Sequence, residues 1–309
     1  MKSKFHLLIF ICPLCLWIES GKANIKNVSE ILFQNDSATP LFAGTWEVLQ
    51  TIPADPSVME RIKKQSDKSL MEGKLTKKEY DQVIKANTEI TGSERISHIT
   101  LKTKVASDRL FTIEQTFEPV KNCGGVSRKF FYHAQGDGIV FKVNETISQI
   151  IMANDPEQTL NTIVPAFISN LLSHQFGKSK IDEFKNQVNI KNEAILLGDS
   201  NGLQLKIETQ HSHEIIDLKL LNRKKTFMAI SVEEMVPKTG ILKKFKIQHF
   251  SNDGNRLMRS EEWELVSYNL NAALSDSIGK FKLLPNYILN DKINHISLMT
   301  NDLLNKKTD

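Results

Sequence analysis

The fold is decided by residues 203–232, which read LQLKIETQHSHEIIDLKLLNRKKTFMAISV. Apolar and polar side chains alternate within three short runs, and polar turn residues separate the runs at His211-Ser-His-Glu214 and Asn222-Arg-Lys-Lys225. Alternation with a period of two is typical of a half-buried β-strand. Connections this short join antiparallel neighbours, because a parallel crossover needs a dozen or more residues. The stretch therefore predicts an antiparallel meander.

The same pattern continues on both sides of this stretch. Towards the C-terminus it runs to about Asn271, through turns at Pro237-Lys-Thr-Gly240 and Asn252-Asp-Gly-Asn255. Towards the N-terminus, strand-like runs begin at Phe42-Ala-Gly-Thr-Trp46 and resume near Ile99. We expect about ten to twelve strands in one half-barrel domain that spans residues 41–300.

Two segments change to helical spacing. Residues 55–91 contain Thr76 followed by Glu79, a capping box that starts the second helix of a predicted helical-hairpin insertion between the first two strands. Residues 156–176 carry a broad apolar face and are predicted to form one internal helix, kinked at Pro165. The predicted fold class is α+β, mainly β: a large curved antiparallel sheet, open as a half-barrel, with this apolar helix across its concave face.

The first 23 residues have the organisation of a secretory signal peptide. Lys2 and Lys4 precede an apolar run, and small residues near Ala23 offer a cleavage site. Residues 24–40 are polar and are predicted to be a flexible leader. Cys12 and Cys15 would leave with the signal, so Cys123 would remain alone and an intrachain disulfide is not expected. We expect an exported protein, periplasmic or secreted.

Composition and motifs exclude several function classes. The chain has 40 basic and 36 acidic residues and a formal net charge of +4, and this near balance gives no electrostatic case for nucleic acid as a partner. It contains no glycine-rich phosphate loop and no G-x-S-x-G nucleophile elbow. We therefore predict no cofactor, no catalytic residue and no enzymatic activity.

Two weaker chemical signals are present. His211 and His213 share a face if they lie in a strand and would then meet one zinc ion, which gives a metal-dependent hydrolase as a third hypothesis. No third ligand is identifiable, and a solvated turn is the favoured interpretation, so no metal site is predicted. Cys123 in Asn-Cys-Gly-Gly matches no cysteine-enzyme signature and is interpreted as a loop thiol.

The apolar alternation is the remaining signal. A helix is about 10 Å across, whereas ten strands at about 4.8 Å spacing are far wider, so one helix leaves part of the sheet uncovered. The uncovered part must close into a barrel, pack on another layer or bind an apolar ligand. The candidate ligand-binding residues on the concave face are Phe111, Ile113, Phe141, Val164, Phe167, Leu171, Leu205, Ile207, Leu218, Phe245 and Ile247.

Several features resemble the LolA/LolB family of outer-membrane lipoprotein carriers. The likeness spans residues 42–291: the Gly-Thr-Trp46 opening strand, Glu233-Glu-Met-Val-Pro237 before Thr239-Gly240, and Phe281-Lys-Leu-Leu-Pro285 followed by Asp291. The 55–91 insertion and Asn286, where such tails often have glycine, depart from the family pattern. The resemblance implies an apolar concavity that shelters a lipid, an acyl chain or a lipoprotein, with a membrane surface as a further partner. The alternative is a non-enzymatic structural or interaction protein of the cell envelope.

Overall fold

The computed structural model describes residues 41–122, 127–167, 193–197, 201–210, 213–222, 225–236, 239–270 and 278–305. The strands are β1 (Phe42–Ile52), β2 (Arg95–Ser107), β3 (Leu110–Lys121), β4 (Arg128–Gln135), β5 (Val140–Asn144), β6 (Gln149–Ala153), β7 (Glu193–Leu197), β8 (Asn201–Gln210), β9 (His213–Asn222), β10 (Lys225–Met235), β11 (Leu242–Phe250), β12 (Leu257–Leu270), β13 (Ile288–Asp291) and β14 (Ile296–Met299). The helices are α1 (Pro56–Met71), α2 (Lys77–Thr91), α3 (Pro156–Ile163), α4 (Thr300–Asn305) and a 3₁₀ turn at Glu145–Ile147.

The described strands form one curved, open sheet. The order is β14-β13-β6-β5-β4-β3-β2-β1-β12-β11-β10-β9-β8-β7. Neighbours pair antiparallel except β6 and β13, which are parallel and are joined by a long stretch of chain. The predicted antiparallel half-barrel is confirmed, with fourteen strands in the described residues where ten to twelve were expected.

Helices α1 and α2 form the predicted hairpin between β1 and β2. The capping box is confirmed: Thr76 N donates to Glu79 Oε2 over 2.7 Å, and Glu79 N donates to Thr76 Oγ1 over 3.3 Å. Asp55 caps α1 by accepting from Ser57 N. Asp55 N donates to Thr91 O over 3.0 Å, so the insertion begins and ends at neighbouring points of the sheet.

Helix α3 is shorter than the sequence predicted. It ends at Ile163, and Val164 has left helical geometry at φ −128° and ψ 77°. The reason is Pro165, which lacks an N–H, would clash with the carbonyl of Asn161 in a continuing helix, and disfavours helical geometry at the residue before it. A helix end therefore replaces the predicted kink. The remainder of the predicted 156–176 helix lies outside the described residues.

The face of the sheet against which α3 packs is called the inner face. Cross-strand partners share a face, and the pairs Phe245–Trp263, Trp263–Val48, Val48–Ile99 and Ile99–Phe117 trace one inner row from β11 to β3. Trp46 lies on the same face, and its ring is 6.1 Å from each of the Phe245 and Trp263 rings, which stack at 5.4 Å. These buried aromatic rings are the centre of the main core.

A second apolar cluster lies on the opposite, outer face. Phe141 pairs with His133, whereas Phe111 pairs with Ala134, so Phe141 and Phe111 point to opposite faces. The ring of Phe141 stacks on Phe281 at 4.2 Å and 10°. Phe141 was predicted to face the concave side, but the structure places it outside. Alternation in β5 puts Phe141 and Val143 on one face and Lys142 and Asn144 on the other, and it does not say which face is inner.

Among the residues described, no helix is both long enough and apolar enough to cross a membrane.

Candidate functional site

A cavity of about 500 Å³ lies between α3 and the inner face. Ligand pockets in proteins commonly enclose about 300–1,000 Å³. Strands β1, β2, β3, β10, β11 and β12 form its floor, and α3 with the residues after it forms its opposite wall. The end of α3 at Ile163 and the turn at Pro165 place both residues on this wall. The cavity therefore follows from the short helix over a wide sheet.

The greater part of the cavity wall is apolar. Ile99 and Trp263 belong to the inner row that crosses the sheet, and Ile247 and Met228 extend this surface over β11 and β10. An apolar ligand that covers this surface removes it from water, and each Å² of apolar area so buried contributes about 25 cal/mol to binding. The apolar lining residues are Ile99, Leu101, Phe117, Ile163, Pro165, Met228, Ile247 and Trp263.

One end of the cavity is polar, and the strand register explains why. Met228, His249 and Arg259 lie opposite one another on β10, β11 and β12, while the next inner row contains Ile247, Glu261 and Gln50. Polar side chains thus interrupt two successive rows at the same place. The polar lining residues are Gln50, Gln115, Gln158, Asn161, Thr162, His249, Arg259 and Glu261.

Glu261 is the buried centre of this polar end. Its Oε1 accepts a hydrogen bond from Gln50 Nε2 at 3.1 Å, and its Oε2 accepts one from Trp263 Nε1 at 3.1 Å. Arg259 Nε lies 3.0 Å from Oε1, as an ion pair rather than a hydrogen bond. The side chain of Glu261 is only 9% exposed, so these neighbours replace its water.

Arg259 lies against two protein side chains and is nevertheless partly exposed. Its Nη2 lies 3.0 Å from His249 Nε2 and its Nε lies beside Glu261, yet the side chain is 42% exposed. A guanidinium has no acceptor, so Arg259 donates and His249 Nε2 accepts, which places the histidine proton on Nδ1. Burial, and then the positive charge of Arg259, lower the pKa of His249, although Glu261 acts in the opposite direction.

The sequence-predicted site residues are distributed differently from the cavity wall. Ile247 lines the cavity, and Phe111, Ile113, Val164, Phe167, Leu218 and Phe245 are buried in the main core. Phe141 lies on the outer face. Leu171 lies outside the described residues, as do the side chains of Leu205 and Ile207, although both residues belong to β8.

The two weaker chemical candidates fall largely outside the described residues. Cys123 and His211 are not among them, and His213 begins β9 without a described side chain. Within the described part of the chain, no group of three histidine, cysteine, aspartate or glutamate residues is arranged to hold a metal ion.

Sequence reasoning missed the polar end, although a signal for it exists. Arg259 and Glu261 have the same parity as Trp263, and His249 has the same parity as Ile247. Assigning the apolar residues to the inner face therefore also assigns these polar ones to it. The pairing of β11 with β12 was not available from one strand alone, so their assembly into one cluster was not predictable.

Comparison with known proteins gives limited information. The chain matches no protein family and no curated protein. Among solved structures it is similar to a domain from Vibrio parahaemolyticus, provisionally described as an outer membrane lipoprotein-sorting protein domain. The two are 10% identical, with a TM-score of 0.30, over 81% of this chain and 95% of the other. A TM-score this low does not establish a shared function.

Proposed function

We propose that the protein is a non-enzymatic binding protein that holds an acyl chain, as part of a lipid or a lipoprotein, in the cavity under α3. The observation that carries this proposal is the cavity itself: about 500 Å³ with a largely apolar wall, beside the packed main core. Each methylene group that leaves water contributes about 0.8 kcal/mol before the costs of binding. The N-terminal signal-like sequence supports action outside the cytoplasm.

A tryptophan placed at the cavity wall tests this proposal. Met228 lines the cavity at its edge, and Met228→Trp would occupy space that the ligand needs. We expect at least about a tenfold loss of affinity for a fluorescent acyl-chain probe, because the larger ring excludes several methylene groups. The measurement is a fluorescence titration of the purified protein, with native mass spectrometry for co-purified lipid.

The matched control is Met71→Trp. Met71 ends α1 and is 87% exposed, so the same substitution there leaves the cavity unchanged. Both variants are first compared with the original chain by circular dichroism and thermal unfolding. A chain that binds no acyl probe and carries no lipid, or equal affinity in the two folded variants, would contradict the proposal.

The hairpin of α1 and α2 supports a second candidate role, docking of a protein partner. Among its described side chains only Ser66 is buried, so the hairpin adds almost nothing to the core. It is tied to the sheet where Arg256 Nη1 pairs with Asp55 and donates to Ser57 Oγ at 3.0 Å. A long insertion without a part in the core is expected to be retained for its surface. This role is compatible with ligand binding.

A further inference from the structure

The polar end of the cavity carries two opposite charges that lie close together. Of the described residues that line the cavity, Arg259 and Glu261 are the two with full charges. They form an ion pair at 3.0 Å, so their charges cancel. His249 accepts from Arg259, and burial lowers the pKa of its imidazole, so it adds no charge near neutral pH. The lining as a whole is neutral.

Arg259 nevertheless has donors to offer. The guanidinium carries five N–H donors, its Nε and Nη2 lie against Glu261 and His249, and the side chain is 42% exposed, so donors remain for an oxygen atom of a ligand. Glu261 is fixed behind it by Gln50 and Trp263. Because long side chains lose entropy when they are immobilised, a guanidinium already held on one side binds an acceptor at lower cost.

We propose that Arg259 binds an uncharged oxygen, such as the ester or hydroxyl oxygen of an acylglycerol, and that Glu261 makes the cavity disfavour anionic heads such as that of a free fatty acid. This inference rests on the proposed acyl-chain site. An uncharged oxygen uses the open donors of Arg259 without leaving a net charge in the cavity. A carboxylate would leave the site with one uncompensated negative charge, next to the buried carboxylate of Glu261.

The test compares two lipids with the same acyl chain, monopalmitoylglycerol and palmitate. Each lipid is titrated, below the concentration at which that lipid forms micelles, into purified protein that carries a fluorescent acyl probe near pH 8. The displacement of the probe gives the affinity of the lipid. We expect monopalmitoylglycerol to bind at least about tenfold more tightly than palmitate. Glu261→Gln removes the negative charge and keeps the shape, so palmitate should gain about tenfold and the preference should close or reverse.

Arg259→Met supplies the second arm. Methionine keeps an unbranched apolar stem and removes every donor, so monopalmitoylglycerol should lose about tenfold in affinity. The matched control is Arg256→Met: Arg256 has a similar side-chain exposure of 43% but pairs with Asp55, outside the cavity lining. We expect the control to bind both lipids within about twofold of the original protein. If Glu261→Gln does not fold, the comparison of Arg259→Met with Arg256→Met tests whether Arg259 binds the lipid oxygen.

The failure of this inference differs from the failure of the proposed function. Equal affinity for the two lipids, a preference for palmitate, or equal effects of Arg259→Met and Arg256→Met would overturn the inference while acyl-chain binding stands. Displacement of the probe by neither lipid, together with no effect of Met228→Trp, would remove both.

Discussion

The two faces of this sheet are closed in different ways. On the outer face, Phe281 stacks on Phe141, and other residues near the C-terminus pack against Val143 and Ile150. On the inner face, eight-residue α3 packs against the core but stands over a cavity of about 500 Å³. In the described residues, therefore, the chain itself covers the outer face over β5 and β6, whereas the inner face retains a largely apolar space under α3.

The difference shows what apolar alternation does and does not mean. Strand β5 carries a buried apolar side chain on its inner face and apolar side chains on its outer face: Val140 belongs to the main core and Phe141 to the outer cluster. Alternation identifies side chains that leave water, because the hydrophobic effect depends on area and not on the partner. Whether the partner is the chain or a ligand depends on which segments reach each face.

The largest expected effect comes from truncating one aromatic ring on each face. Trp46 is fully buried between Phe245 and Trp263, so Trp46→Ala should lower the free energy of unfolding by about 3–5 kcal/mol. Phe281 is half-buried, and Phe281→Ala should cost about half as much. Urea unfolding of both variants measures the difference. Equal losses would show that the outer cluster contributes as much as the inner core.

An intermediate effect is expected from pH, because among the described residues His133 on the outer face and His249 on the inner face each have a lowered pKa. Burial is the main cause for both: His133 lies against Phe281 on the outer face, and His249 lies beside Arg259 on the inner face. A pKa that is lower in the folded state means that the unfolded chain binds protons first as the pH falls. Stability should therefore be complete above about pH 6.5 and decrease below it.

The variants His133→Gln and His249→Gln assign this loss to the two faces. Each should reduce the decrease in unfolding free energy between about pH 7.5 and about pH 5, as measured by urea unfolding. Asp55 and Asp291 have a lowered pKa, from an ordinary value of 3.8, so their contributions are lost below this window. A decrease that persists in the double variant would assign the pH dependence to other groups.

The smallest effect on the sheet is expected from removing the hairpin. Because Asp55 N and Thr91 O are 3.0 Å apart, a short glycine linker can replace residues 56–90. Stability should change by about 1 kcal/mol or less, and acyl-probe binding should be retained, since the hairpin lies outside the cavity lining. Analytical ultracentrifugation and partner capture then report on docking. Loss of acyl binding would show that the hairpin supports the inner face.

Much of the architecture could be predicted from local pattern. The strand runs, the turns that make them antiparallel, and the capping box at Thr76 and Glu79 are each encoded within a few neighbouring residues. The length of α3 was misjudged because its apolar face continues past Pro165 in sequence, whereas the backbone at Val164 has already left the helix. The missing N–H of Pro165 therefore has more influence on where the helix ends than the apolar pattern of its face.

By itself, the sequence determined that this protein is a mainly antiparallel β-sheet with a helical hairpin after the first strand. It did so because a period of two and the chemistry of turns act between near neighbours. Only the tertiary structure decided that Phe141 faces outward, and that Gln50, His249, Arg259 and Glu261 meet at one end of a cavity. Gln50 lies 211 residues before Glu261, and the register between β1, β11 and β12 brings all four side chains to the same place.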